Sequence, residues 1–124
     1  MKNFLYKTNL LYWIGKILIV GIFLYFGFES IIDPSGYANL VPDFMTSIIS
    51  ADILVMIHGA VELTCGLLIL FGLGRIAPYI ILSLSFLGVL VSVSGTTLIR
   101  DFAIFGGLLL LTHIYIKKDT TENK

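Results

Sequence analysis

The stretch ILVMIHGAVELTCGLLILF, residues 53–71, holds only two side chains that can carry charge, His58 and Glu62. An α-helix needs roughly 20 apolar residues, at about 1.5 Å each, to cross about 30 Å of hydrocarbon, and this run meets that length. A helix also satisfies its own backbone hydrogen bonds, which lipid cannot do for it. The run therefore reads as a membrane span. Three more lie outward from it, Tyr12 to Ile32, Ile76 to Val93 and Leu98 to Ile116. The expected fold is an all-α membrane protein, an antiparallel bundle of four transmembrane helices in a single domain over residues 1–124.

Composition agrees. Of 124 residues, 57% are hydrophobic and 13% charged, and the mean hydropathy is +0.98. A soluble domain carries about twice that share of charge, so there is too little polar surface here to cover a water-soluble globule. Eight basic and eight acidic residues cancel, leaving no global field to attract nucleic acid. The lone cysteine, Cys65, excludes an internal disulfide and a cysteine-cluster metal site, and no metal is expected. Lys2 and Lys7 precede the first run as in a signal peptide, but that run exceeds a usual h-region and lacks a small-x-small cleavage signature. An uncleaved helix is expected.

The connections fix the order. Asp33-Pro34-Ser35-Gly36 ends the first helix, because proline disfavours helix in the residue before it. Gly72-Leu73-Gly74-Arg75 is a tight link that makes the second and third helices antiparallel neighbours, and Pro78 falls in a first turn, where a missing N–H costs least. The long connection from Tyr37 to Asp52 carries Leu40, Val41, Phe44, Met45, Ile48 and Ile49 at near-helical spacing. It reads as a short interfacial or re-entrant segment, or as a loop covering the end of the bundle. In the fourth run Arg100 and Asp101 leave only Phe102 to Ile116 uncharged, a short span if Arg100 snorkels to the headgroups.

Basic residues concentrate on cytoplasmic loops. Lys2, Lys7, Arg75, Lys117, Lys118 and Lys124 fall on one side, and Arg100 falls on the other with Asp33, Asp43, Asp52 and Asp101. Both termini are thus expected in the cytoplasm, for a multi-pass protein of the cell's inner membrane.

An ionisable group inside a span costs about 2.5–3.5 kcal/mol on insertion scales, so each invites a functional reading. His58, Glu62 and Cys65 are four and three residues apart and share one face, bordered by Gly59 and Gly66. Small residues let a neighbouring helix approach, so this face looks into the bundle. Glu62, near mid-span, would either become neutral or find a cation. The candidate polar pocket is Glu29, His58, Glu62 and Arg100, in the half of the bundle beneath the Tyr37 to Asp52 segment. The alternative is a satisfied His58–Glu62 pair that only fixes packing, with Arg100 and Asp101 as an interfacial anchor. Snorkelling accounts for Lys16 and His113, burial as a small hydrophobe for Cys65, and close packing for Ser85, Gly88, Ser92 and Gly95. The aromatics Phe23, Tyr25, Phe26 and Phe28 suit packing or the face of a quinone ring. Glycine loops for nucleotides, metal-binding histidine pairs and hydrolase elbows are absent from the sequence.

Three segments together resemble the DoxX-like membrane proteins, which include the small subunit of thiosulfate:quinone oxidoreductase. They are Gly27-Phe28-Glu29-Ser30-Ile31-Ile32-Asp33-Pro34, Glu62-Leu63-Thr64-Cys65-Gly66-Leu67 with its continuation to Leu73, and Arg100-Asp101-Phe102-Ala103-Ile104-Phe105-Gly106-Gly107-Leu108. The family often has lysine or histidine where this chain has Glu29 or Ser30. The resemblance implies a four-helix bacterial or archaeal inner-membrane protein, sometimes part of a redox complex with soluble partners. The expected function is a membrane subunit or anchor of a redox system linked to quinone, as a non-catalytic or accessory subunit of an oxidoreductase. The other readings are a small proton- or solute-binding transporter-like unit, acting as a homo-oligomer, and a structural membrane protein that binds a partner.

Overall fold

The computed structural model describes residues 2–93 and 95–122, with side chains over 10–93 and 95–121. The Lys2 and Lys7 side chains, and Lys124, lie outside what it describes. The chain forms helices α1 (Lys2–Ile32), α2 (Asp43–Thr46), α3 (Ala51–Phe71), α4 (Ala77–Ser92) and α5 (Gly95–Glu122). Between α1 and α2 run two 3₁₀ turns, Pro34–Gly36 and Ala38–Leu40. Within α1, α3 and α5, the stretches Leu10–Ile32, Ala51–Phe71 and Gly95–Thr121 are long and apolar enough to cross a membrane. The shorter apolar α4 spans 16 residues, about 24 Å of rise.

The fourth run, interrupted in the sequence by Arg100 and Asp101, is one continuous helix of 28 residues. The two charges do not break it because they neutralise each other: Arg100 Nε donates to Asp101 Oδ1 at 2.9 Å, and Asp101 is only 4% exposed. The long connection is a string of short helical turns, not one re-entrant helix.

The four long helices form an antiparallel ring in chain order, each packed on the next and α5 closing on α1. The closest approach is between α1 and α3. A Cβ placed on Gly59 would stand 2.7 Å from the Gly27 carbonyl oxygen, and one on Gly27 would stand 2.8 Å from that of Gly59. With lipid as apolar as the side chains, such backbone proximity is what gives van der Waals packing its strength.

Below this crossing Val20, Phe23, Cys65, Ile69, Leu82, Phe86 and Leu108 form a continuous apolar core. Phe23 meets Phe86 edge-on at 5.2 Å, and Tyr79 stacks on Tyr115 at 4.8 Å. At that end Gly72 and Gly74 turn the chain with φ of 71° and 78°, values glycine adopts without strain. Arg75 lies 3.6 Å from Asp119, which sets the α3–α4 turn beside the end of α5. Outward-facing Leu11, Leu18, Phe28, Ile57, Leu84, Val91 and Leu110 are exposed, as expected of side chains in contact with acyl chains. The molecule is a multi-pass helical membrane bundle.

Candidate functional site

At the end opposite Arg75 and Asp119, the ring encloses a cleft of about 500 Å³. Its floor is Phe23 and Phe86, and Phe26, Val55, Val89 and Ile104 line its walls. The connection between α1 and α3 lies across it through Tyr37, Leu40, Val41, Pro42, Phe44 and Met45. The volume falls within the range of about 300–1,000 Å³ usual for small-molecule sites, which are mostly apolar with a few placed polar groups.

The polar groups come in two sets. On α3, His58 and Glu62 sit one helical turn apart, and His58 Nε2 is 3.2 Å from Glu62 Oε1. The other ring nitrogen, Nδ1, is 2.9 Å from Ser85 Oγ on α4. With the carboxylate accepting, Nε2–H donates to Glu62 and Nδ1 accepts from the Ser85 hydroxyl, a network assignment that uses each group once. Glu62 is 3% exposed. The second set is Arg100 with Asp101 at the edge of the cleft, where the guanidinium carbon lies 5.9 Å from the Phe26 ring centroid.

Of the four residues singled out by the sequence, the fold brings His58, Glu62 and Arg100 to one cleft and leaves Glu29 out of its lining. Phe26 and Ser30 face the cleft from α1. Glu29 is one residue from Ser30, and about 100° of helix rotation turns it away. It accepts hydrogen bonds from the Tyr25 and Tyr37 hydroxyls, in a separate groove with Phe28, Ile32 and Asp33. Tyr37 belongs to both places: its ring lies across from Phe26 at 6.3 Å. Burial first, and the bond to Glu29 second, push the Tyr37 phenol up to about 12.

The stripe read as close packing on α4 turns out to be cleft wall. Ser85, Gly88 and Ser92 all line it, and a Cβ on Gly88 would meet nothing within 4 Å. Small residues here leave space instead of admitting a helix. The sequence also gave no role to Asp101 beyond anchoring or to Tyr37; the signal available for Asp101 was its place beside Arg100 inside an apolar run. Lys16 is more enclosed than snorkelling would leave it, 4% exposed with its ammonium 4.7 Å from the Trp13 ring centroid. Cys65 is buried in the core, and His113 is exposed. Among the described residues, no three His, Cys, Asp or Glu side chains converge as metal ligands.

No curated protein and no solved structure matches the chain. The model of one family, DoxX, matches residues 11–95. The matched region holds the α1–α3 crossing, the segment across the cleft, and the His58–Glu62–Ser85 set; Arg100 and Asp101 lie beyond it. With well over half of its length matched, the chain belongs to the DoxX family.

Proposed function

We propose that this protein is a membrane subunit or anchor of a redox system and that its cleft holds the ring of a quinone. The observation that carries the reading is the convergence of hydrogen-bonding groups on an aromatic-floored cleft within a membrane bundle. Phe23, Phe26 and Phe86 offer ring faces and edges, and His58 and Arg100 offer donors for carbonyl oxygens. A bound quinone would supply two-electron, two-proton redox chemistry. The chain's own part is to bind and orient the ring, to keep water from it, and to hold a proton at His58, steadied by Glu62 and Ser85. Electrons would come from a soluble partner docked on the bundle.

The distribution of charge supports an orientation. Arg75, Lys117 and Lys118 share the end remote from the cleft, so the termini face the cytoplasm of a cell with this as its inner membrane, and the cleft faces the outer leaflet. A transport reading is less well supported, because the polar line from Ser85 to Glu62 ends on the packed apolar core below. That favours a blind pocket over a path across the bilayer.

The test is quinone binding by the full chain in nanodiscs. Glu62→Gln and Arg100→Ala should each weaken it; unchanged binding in both variants, or no binding by the parent protein, would sink the proposal.

A further inference from the structure

We infer that the cleft has a side window onto the bilayer, through which a membrane-dissolved ligand enters and out of which its hydrocarbon chain extends. The head-group identity rests on the quinone reading above; the window stands on separate observations. Six exposed residues line the cleft: Arg100 at its mouth, and five apolar ones. Leu40, Phe44 (75% exposed) and Met45 come from the segment across the cleft, and Val91 (85% exposed) and Gly88 from the last turns of α4. Residues of that kind mark a rim, and away from Arg100, between the connecting segment and α4, that rim is apolar.

The rim also lies at lipid level. Its neighbours on the outer faces of α3 and α4, Ile53, Ile57, Leu84 and Leu87, are all exposed and all aliphatic. In water such a surface would be costly, whereas acyl chains cover it at no cost. The sill of the window is the His58–Ser85 contact at 2.9 Å, which joins α3 to α4. Above it, the open space beside Gly88 lets the cleft reach the outside of the ring.

A polar ligand would meet Arg100 at the mouth but only apolar side chains at the window. An amphiphile arriving from lipid would instead place its head between His58 and Arg100 and leave its chain in the window, where each methylene stays in an apolar medium. The occupant is thus a ring or small polar head on a long chain. The cleft need hold only the head and the first few carbons.

Two measurements on the full chain in nanodiscs test this. In a Trp13→Phe background, Phe86→Trp or Phe26→Trp places a reporter inside the cleft, and lipids brominated mid-chain report contact with acyl chains. Strong quenching is expected for either reporter, lost when Gly88→Phe fills the window and kept with Leu84→Phe on the outer face of the same helix. A reporter that stays bright, or quenching that Gly88→Phe leaves intact, would overturn the window.

The second measurement compares a long-chain benzoquinone with its chain-free analogue. Gly88→Phe should weaken the first about tenfold, what exclusion of roughly two methylenes amounts to, and the second by less than about twofold. Equal weakening of both overturns the window. Quenching with no binding of either quinone supports the window and removes the quinone.

Discussion

Gly59 and Gly88 occupy opposite kinds of place in the same bundle. Around Gly59 on α3 there is no room: the Gly27 carbonyl oxygen and the Ser30 Cβ would each stand 2.7 Å from an added Cβ. Around Gly88 on α4 there is nothing within 4 Å. One glycine lets two backbones meet, and the other leaves a wall thin. In a membrane, where burying apolar surface against protein instead of lipid gains little, helices associate where backbones touch and part where they do not. The α1–α3 crossing therefore holds the bundle, and the α4 side is free to form a cleft.

Adding a methyl group is the sharpest way to break this contrast. Gly59→Ala should be the most damaging, since its nearest neighbours are backbone oxygen and a Cβ that no rotamer change can move. Overpacking of that kind costs about 1–3 kcal/mol, and the read-out is the midpoint of unfolding in a denaturing-detergent titration. A midpoint equal to that of the unmodified protein would mean that α1 and α3 are not in backbone contact in the membrane.

The polar contacts of the cleft should matter less. Ser85→Ala removes the partner of His58 Nδ1 but leaves Nε2 on Glu62. Hydrogen bonds between membrane helices average about 0.6 kcal/mol, so a loss of that size in the same titration is expected. The bond to Glu62 should keep the imidazole in its Nε2–H tautomer, so that in nitrogen NMR chiefly the Nδ1 shift moves as its hydrogen bond is lost. A loss as large as that of Gly59→Ala would move the main support of the fold to the cleft.

These two sites also show what the amino-acid pattern could and could not reveal. Apolar run length located α3, α4 and the end of α1 to within a few residues, because a helix crossing lipid must be long, apolar and closed by turn residues such as Pro34 and Gly72, whereas α1 begins at Lys2, ten residues before its apolar run. Spacing of four placed His58 and Glu62 on one face, a property of a single helix. Contacts between helices depend on rotation and tilt, which are set by close packing at Gly27 and Gly59 and are not encoded in any one segment. For that reason the small residues of α4 looked like another packing face, Glu29 seemed to belong with Glu62, and Ser85 had no visible partner. The charge pair of α5 looked like an interruption for a related reason: its neutralisation within the pair and the burial of Asp101 appear only in three dimensions.

A smaller and more local effect belongs to the segment across the cleft. Tyr37 holds that segment to α1 through its hydrogen bond to Glu29, and its phenol lies above the ordinary 10.0, at about 12. A folded value raised above the unfolded one means that the contribution is fully present below pH 10 and lost as pH rises toward 12. In an ultraviolet titration, Tyr37→Phe should therefore remove one tyrosine from the late-ionising phase. Limited proteolysis between Tyr37 and Asp52 should quicken over the same interval in the parent protein and show no such transition in the variant. A normal titration for Tyr37 would mean that the segment is not held down on Glu29.

The smallest effect is expected where the comparison began. Gly88→Ala adds the same methyl as Gly59→Ala, on a helix of the same bundle, but into open space. Alanine also favours helix over glycine, by up to about 1 kcal/mol in water. The unfolding midpoint should therefore stay within about 0.5 kcal/mol of the parent or rise slightly. The pair of variants isolates one variable, the distance from the new carbon to the nearest backbone. Should Gly88→Ala prove as damaging as Gly59→Ala, α4 would have to pack against another helix or a second copy of the chain in the membrane. The window would then be closed in the assembled protein, and a ligand would have to reach His58 from the mouth beside Arg100.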